Sequence, residues 1–329
     1  GEHSMHIMRA ELPGPTVGKF VPKAGNTAKI LYLIYGALTV AETLALMIQG
    51  MSFYDALLHA FATAGKGGFS TMNANVAAFD SAGIEMTVAI FLLLFGVNFN
   101  LYYLVIAGRI KDALKSEELH CYLGLILLST LGITLGITKL YDGIAAALRH
   151  AFFNTVSLMS TAAFATVNTM EWPQYARFIL VSLMIIGGCA GSTSGGLKVS
   201  RAILLFKTAA ADIAHIIHPR EVRCVQMDGK RVDEATTKAV YCFFFLYFVI
   251  VMACAFVLSF DGHSFTICLT ASLSCMSNIG PSLSLVSTAK SYTIFSPFSR
   301  LTMMAVMLLG RLEIYPMLIL ASPSFWKRK

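Results

Sequence analysis

Charge is what this sequence has least of. Only 13% of its 329 residues are Asp, Glu, Lys or Arg, against roughly 25% in an ordinary soluble domain. A soluble chain of this length has more surface than so few charges can cover. The shortage argues against a soluble enzyme, a disordered protein and a nucleic-acid-binding domain. Signatures of catalysis are missing as well. The seven cysteines form no C-x-x-C pair, and most lie in apolar runs, so they read as small buried residues, not as a disulfide framework or zinc site. The eight histidines show no H-E-x-x-H or other metal spacing, and no nucleophile elbow accompanies the serines. No cleavable signal peptide is visible at the start. An enzyme reading has no constellation to stand on, and no organic cofactor is expected.

What is present is apolar. Hydrophobic residues make up 56% of the chain and its mean hydropathy is +0.69. A helix needs about 20 apolar residues to cross a bilayer. Six stretches qualify, near Ile30–Ile48, Met86–Ala107, Cys121–Ile137, Phe178–Leu197, Ala239–Ser259 and Leu301–Leu320. The fold class is an all-α, multi-pass membrane protein. The net charge of +7 is uneven. Eighteen Lys and Arg residues fall in the two termini and the connections after the second and fourth spans; six fall in the other connections. The positive-inside rule then puts both termini in the cytoplasm.

The three outer connections, Gln49–Glu85, Thr138–Arg177 and Phe260–Arg300, each hold a semi-apolar segment too short to span: Tyr54–Ala64, Ile144–Met159 and His263–Met276. Such segments suit half-helices that enter the membrane and return. ALLHAFATAGKGGFST (Ala56–Thr71) aligns without gaps on AFFNTVSLMSTAAFAT (Ala151–Thr166), and LTASLSCMSNIGPSLS (Leu269–Ser284) is a more diverged third copy. The chain therefore reads as span, re-entrant helix, span, three times over.

Each half-helix ends in small residues: Lys66, Gly67, Gly68 and Phe69; Thr161, Ala162, Ala163 and Phe164; Asn278, Ile279, Gly280 and Pro281. Non-helical backbone at membrane depth must be buried in protein or line a cavity. Its carbonyls can replace the water shell of a cation, and the negative ends of the half-helix dipoles favour one. Tight turns and close helix packing are the plainer reading. Within the fourth span, IGGCAGSTSGGLK (Ile186–Lys198) is too rich in glycine for a firm helix. It can be a gate or binding loop, or a close-packed glycine helix. It lacks the G-x-x-x-x-G-K-[ST] spacing of a phosphate loop. Arg311 sits inside the last apolar run with Glu313 close by, either as a functional intramembrane charge or as half of a structural pair. Asn98, Asn100 and Glu42 are weaker polar signals within spans.

Taken together, HAFATAGKGGFST, GGCAGSTSGGLKVSR, SNIGP and GRLEIYP resemble the TrkH/KtrB branch of the Trk/Ktr/HKT potassium transporters, over nearly the whole chain, from MRAELPGP (Met8–Pro15) to the terminal SPSFWKRK. The resemblance implies a pore built from four span–pore-helix–span repeats as in potassium channels, usually in a homodimer embedded in membrane lipid. It also implies regulation by a cytosolic nucleotide-binding ring of the TrkA/KtrA type. K+ is then the transported ion and nucleic acid no partner. Three of the expected four repeats are present, the N-terminal one being the one not seen. The expected divisions are a cytoplasmic segment 1–29, pore repeats 30–110 and 111–208, a cytoplasmic linker 209–233 and a last pore repeat 234–329. By position, the filter cation would meet carbonyls of Lys66, Gly67, Thr161, Ala162, Asn278 and Ile279, with Gly68, Ala163 and Gly280 as filter glycines. The intramembrane gating loop would be Gly187–Lys198, including Gly188, Gly191, Ser192, Thr193, Gly195 and Gly196, with Arg311 below the filter.

The sequence departs from that pattern in places. Ala163 replaces a glycine, and its methyl group opposes a left-handed backbone; in the family, glycine here accompanies potassium over sodium. Lys66 stands where a small hydroxyl residue is usual, and a cation pointing into the filter would repel potassium. Ser282 and Ser284 also replace glycines. Channel-like K+ uptake at the plasma membrane, gated from the cytoplasm, is the expected function. A non-conducting or altered-selectivity relative, and a cation-coupled secondary transporter, are the alternatives. Few carboxylates lie in the spans, chiefly Glu42 and Glu313, which leaves a proton relay thin.

Overall fold

The computed structural model describes residues 24–219, 224–280, 292–312 and 314–321. Pro281, Ser282, Ser284 and Glu313 therefore lie outside the described residues. Among the described residues, three helices are long and apolar enough to cross a membrane unbroken: α1 (Ala24–Ile48), α6 (Glu117–Ile137, extended by one tight turn to Leu140) and α10 (Glu234–Ser259). Their apolar side chains point outward as well as inward. Ile48 is 86% exposed, and Leu44, Leu128, Leu135 and Phe256 are also exposed. Helices hydrophobic all round belong in lipid or in a protein core, and these outer faces have no protein against them among the described residues.

After each long helix comes a short one: α2 (Phe53–Ala64), α7 (Ile144–Met159) and α11 (Phe265–Ser277). Each packs against the long helix before it and the helix after it. At 12 to 16 residues they reach about 18–24 Å, short of the about 30 Å of a bilayer core. They are the re-entrant half-helices expected from the repeat. Their burial sets them apart. Phe153–Met159 and Thr270–Ser277 are buried without a break, although these stretches include Asn154, Thr155, Ser157, Ser272, Ser274 and Ser277. Polar side chains are thus buried alongside apolar ones in the half-helices.

The second spanning helix of every repeat differs from the six continuous spans expected from hydropathy: all three are broken. In the first repeat α3 (Ala82–Gly96) and α4 (Phe99–Ile106) meet at 88°. Asn98 caps the second piece by accepting a hydrogen bond from the Asn100 amide at 3.0 Å. In the second, α8 (Gln174–Ile186) stops at the glycine-rich stretch and α9 (Val199–Ile217) begins after it; in the third, α12 (Pro297–Arg311) gives way to α13 (Ile314–Ala321). Only the break at the glycines shows in the sequence; Asn98 and Asn100 beside the first break and Arg311 beside the third read there as polar residues inside continuous spans. Helix α1 begins at Ala24, inside the segment expected to precede the first span, and α9 runs to Ile217, past the expected start of the linker. A short helix α5 (Ile110–Leu114) and the antiparallel pair β1 (Gln226–Met227) and β2 (Lys230–Arg231) complete the connections. The cysteines follow the apolar reading in part: Cys189, Cys254, Cys268 and Cys275 are buried, whereas Cys224 and Cys242 are exposed.

Side-chain contacts join the first repeat to the second and brace the second from within. Arg149 on α7 pairs with Glu85 on α3 at 3.0 Å. Trp172, 2% exposed, fills the space between α6, α7 and α8 and donates its indole N–H to the Tyr141 hydroxyl at 2.9 Å. Trp172→Ala removes that bond and opens a cavity, a combination that costs about 3–5 kcal/mol. The expected outcome is a lowered thermal midpoint in detergent, read by a thiol-reactive dye that reaches the four buried cysteines only on unfolding.

Candidate functional site: three equivalent turns and a glycine-rich loop

Each half-helix ends in the same way. In the first, the Lys66 amide donates to the Thr63 carbonyl at 3.3 Å and the Gly67 amide to Ala62 at 2.8 Å. In the second, Thr161 donates to Leu158 at 3.1 Å and Ala162 to Ser157 at 3.0 Å; in the third, Asn278 donates to Cys275 at 3.2 Å and Ile279 to Ser274 at 2.9 Å. This crossed pair of bonds is the Schellman helix ending, which needs a left-handed residue just after the cap. Lys66, Thr161 and Asn278 supply it with φ of 59°, 60° and 55°. Two residues on, Gly68, Ala163 and Gly280 are again left-handed, at 62°, 60° and 109°. Glycine has no Cβ to resist this conformation, but Ala163 and the β-branched Thr161 do. The Ala163 methyl, expected to oppose the left-handed backbone, does not prevent it.

The turns are buttressed from behind. Asn75 donates to the Gly68 carbonyl at 3.0 Å, and its side-chain oxygen accepts from the Ala165 amide at 3.3 Å, which ties the first turn to the second. Ser157 donates to the Phe164 carbonyl at 2.7 Å, and the Tyr292 hydroxyl donates to the Gly280 carbonyl. His59 reaches the Ser70 hydroxyl with one ring nitrogen at 2.9 Å and stacks against Phe164. In contrast, no hydrogen bond among the described residues reaches the carbonyl oxygens of Lys66, Gly67, Thr161, Ala162, Asn278 or Ile279. Gly68 lies so close to the second turn that a Cβ would stand 1.9 Å from the Ala162 oxygen. At the far end of α2, Ser52 and Thr71 both donate to the exposed Asp55 carboxylate at 2.7 Å, and these bonds hold its pKa below the usual carboxylate range.

Gly187–Lys198 is not a helix. It is a loop that returns to its starting point: Leu197 and Lys198 donate backbone bonds to Ile185 and Ile186 at 3.0 and 2.8 Å, and Val199 to Gly188 at 3.0 Å. Gly187 and Gly196 stand back to back, where a Cβ on either would come within 3.0 Å of backbone. The loop meets both neighbouring breaks. Cys189 donates to Gly96 and Phe99 to Gly191, each at 3.0 Å. Arg311 donates to the Thr193 carbonyl at 3.0 Å, and Lys198 turns its ammonium back onto the Ser194 carbonyl. Ser192 bonds within the loop to Cys189 at 2.6 Å. The loop also touches the turns, for the Gly195 amide donates to the Thr161 hydroxyl at 2.7 Å. A Cβ on Gly195 would sit 2.1 Å from the Ser277 carbonyl. The structure thus gathers the loop glycines, Arg311 and two of the three turns in one place.

Sequence reading missed the residue that anchors this loop. Glu118, buried in the first turn of α6, accepts from the Ala190 amide at 2.6 Å and the Ser200 amide at 3.1 Å, both on one carboxylate oxygen. One side chain so fixes the middle of the loop and the N-terminus of α9, where a negative charge is favoured. In the sequence it is an acidic residue after Ser116, indistinguishable from ordinary helix-start chemistry. Asn75 and Tyr292 gave no signal either, being lone polar residues in connections.

Comparison with known proteins points the same way. The family described as TrkH, cation transport protein, matches residues 137–328. The chain is 37% identical to the Trk system potassium uptake protein TrkH of Salmonella typhimurium, over 99% of this chain and 68% of that protein. It is 32% identical to the Trk system potassium uptake protein TrkG of Escherichia coli, over 98% and 66%. The crystal structure of the potassium transporter TrkH from Vibrio parahaemolyticus matches with a TM-score of 0.88 at 32% identity, over 98% of this chain and 69% of that one.

Glu118→Ala leaves two buried amides without their acceptor, at about 1–3 kcal/mol for each. Hydrogen exchange followed by mass spectrometry is expected to show peptides covering Ala190 and Ser200 exchanging roughly tenfold faster or more, with the half-helices unchanged. Glu118→Gln, which keeps one acceptor oxygen, is expected to fall between.

Proposed function

Because the chain belongs to the TrkH family of cation transport proteins, we propose that it is the pore subunit of a potassium uptake system, passing K+ by channel-like flow through a filter of backbone carbonyls. The observation that carries this reading is the threefold turn. The carbonyls of six buried or half-buried residues, at equivalent positions, meet no donor among the described residues while their neighbours are buttressed. Unsatisfied carbonyls inside a membrane protein are costly, and a dehydrated monovalent cation is the partner that rings of carbonyls suit. Alternating left-handed and ordinary residues turn successive peptide planes so that their oxygens can share one side. The half-helix C-termini add negative potential there.

The same geometry supports gating by Gly187–Lys198. The loop leans on the ends of the second and third half-helices through Gly195 and is latched by Arg311 on Thr193. Released from those contacts, it could clear the space below the turns; held, it closes it. Both termini and the Arg- and Lys-rich connections lie in the cytoplasm on this reading, where a nucleotide-binding ring would act on the loop through α9 and α13. A homodimer in the plasma membrane, with lipid against the exposed apolar faces, completes the assembly. The orientation of Lys66, directed away from its turn onto the Leu92 carbonyl at 2.8 Å, favours conduction over a non-conducting relative.

Flux tests the proposal. The full-length protein in liposomes loaded with K+, with its regulatory ring supplied, is expected to pass K+ or Rb+ down the gradient. Flux should not change when a proton gradient is imposed. No K+ flux from folded protein would sink the reading, and flux that stops without a proton gradient would favour coupled transport. Ala163→Gly removes the methyl group from a left-handed filter position, and the expected result is a higher K+ to Na+ permeability ratio with total flux maintained.

A further inference from the structure

The connection between α9 and α10 folds into a hairpin. Its strands β1 and β2 are joined by Asp228 and Gly229, both left-handed, with φ of 50° and 72°. A two-residue loop with both φ positive is the type I′ turn, and Asp-Gly is one of its favoured sequences. The Val232 amide donates to the Val225 carbonyl at 2.9 Å and lengthens the ladder. The hairpin is fastened to two helices, for Met227, 6% exposed, packs with Leu204 of α9 and Val240 of α10.

The turn of the hairpin reaches a third helix. The Asp228 carboxylate accepts from the Glu117 amide at 2.7 Å, across 111 positions of sequence. This caps the first turn of α6 from outside the helix, where the dipole also favours a negative charge. The local cap is longer: Ser116 Oγ accepts from the Leu119 amide at 3.5 Å. Lys207 of α9 adds a second tie, bonding the Glu117 carboxylate and donating to the Gln226 carbonyl at 2.8 Å. Glu117 and Glu118 are thus neighbours in one turn with opposite partners. Glu117 meets the hairpin and Lys207, while the buried Glu118 holds the Ala190 and Ser200 amides at the glycine-rich loop. A helix end that loses a cap frays through its first turn. Fraying here unfixes Glu118, and both amides lose their acceptor together.

Resting on the reading of Gly187–Lys198 as the gate, we propose that Asp228 is a positioning residue for that gate: by capping α6 from the hairpin it keeps Glu118 on the loop, and the hairpin so acts as a strap that holds the loop shut. Asp228 touches neither the loop nor a permeating ion; it acts through the first turn of α6. The contact is exposed, which places a handle on the buried loop at the surface of the protein. Lifting the hairpin from α6 releases the loop.

The test compares wild type, Asp228→Gly and Asp228→Asn in the full-length protein. Glycine keeps the left-handed turn and removes the acceptor, whereas asparagine keeps both. Hydrogen exchange followed by mass spectrometry is expected to show peptides covering Ala190 and Ser200 exchanging at least threefold faster in Asp228→Gly, with the half-helices unchanged. In liposomes, K+ flux without the regulatory ring is expected to rise at least threefold for Asp228→Gly. Asp228→Asn is expected to stay near wild type in both measurements. A hairpin that served stability alone would loosen itself and leave both readouts where they were. A change below threefold in either readout for folded Asp228→Gly overturns the proposal, as does an Asp228→Asn protein that matches Asp228→Gly. Where Asp228→Gly does not yield folded protein, Lys207→Met, which cuts the bridge from Glu117 to the hairpin, is judged by the same limits. A wild type that passes no K+ with its ring present overturns the channel reading and this inference with it, whereas a conducting wild type with an indifferent Asp228 overturns this inference alone.

Discussion

Backbone that leaves the helix inside a bilayer has neither water nor lipid to satisfy it, and the rest of this structure depends on that constraint. The three half-helices stop at membrane depth, and each must dispose of the carbonyls and amides at its end. The crossed Schellman bonds consume the amides of Lys66 and Gly67, of Thr161 and Ala162, and of Asn278 and Ile279. Asn75, Ser157 and Tyr292 then satisfy carbonyls on the flanks. What is left over is a set of oxygens at equivalent positions in three copies. The proposed cation site is this remainder, taken among the described residues.

The same constraint accounts for the breaks in the second spanning helices. A helix of 13 to 15 residues ends about 20–22 Å from its start, near the level where the half-helices, entering from the same side, also end. Each break exposes peptide groups, and the breaks are used to satisfy one another. Gly96 accepts from Cys189, Gly191 accepts from Phe99, and Thr193 accepts from Arg311. Glu118 holds two amides of the same region. Such mutual satisfaction requires backbones to approach more closely than side chains permit. That is why glycine stands at 187, 195, 196 and 310, where a Cβ would come within 3.0 Å of another backbone. The loop and the turns are coupled because they answer a shared deficit of hydrogen-bond partners, so a change in one leaves groups of the other unsatisfied.

The sequence carried the repeat, the half-helices and the glycine-rich interruption, because each leaves a local trace: length, periodicity or a run of small residues. It did not carry the breaks at Val97 and Leu312. No glycine run or proline marks Val97–Phe99, since the bend is imposed from outside by Gly191 and Cys189, nearly a hundred residues away. Nor did it carry Glu118, whose bonds reach residues 72 and 82 positions distant, or Asn75, which joins Gly68 to Ala165, 90 positions away. The nine filter positions came from the resemblance, not from composition, and what could be derived locally was only that small residues follow each half-helix. The doubt over Ala163 was legible as chemistry, but its resolution was not. Whether a methyl group forbids a left-handed turn depends on what else holds that turn.

That dependence can be followed through the six left-handed positions. If glycine alone created the turns, Lys66, Thr161, Ala163 and Asn278 should relax to ordinary backbone, since each pays of order 1–3 kcal/mol to remain left-handed. They do not, and the pattern is the same in all three copies whether the residue is Gly, Ala, Thr, Asn or Lys. The conformation is therefore set by the crossed bonds at the helix ends and by the contacts behind the turns, with residue type adjusting only its cost. A turn held this way is stiff: any relaxation of one residue breaks bonds to Asn75, to Gly195 or to the half-helix itself. It can also accept side chains that the turn geometry alone would reject, provided their atoms find a place elsewhere. The Thr161 hydroxyl is placed on the Gly195 amide and the Asn278 side-chain amide on the Met307 carbonyl. Lys66 is the extreme case, a cation whose backbone belongs to the turn and whose charge is stored a helix layer away.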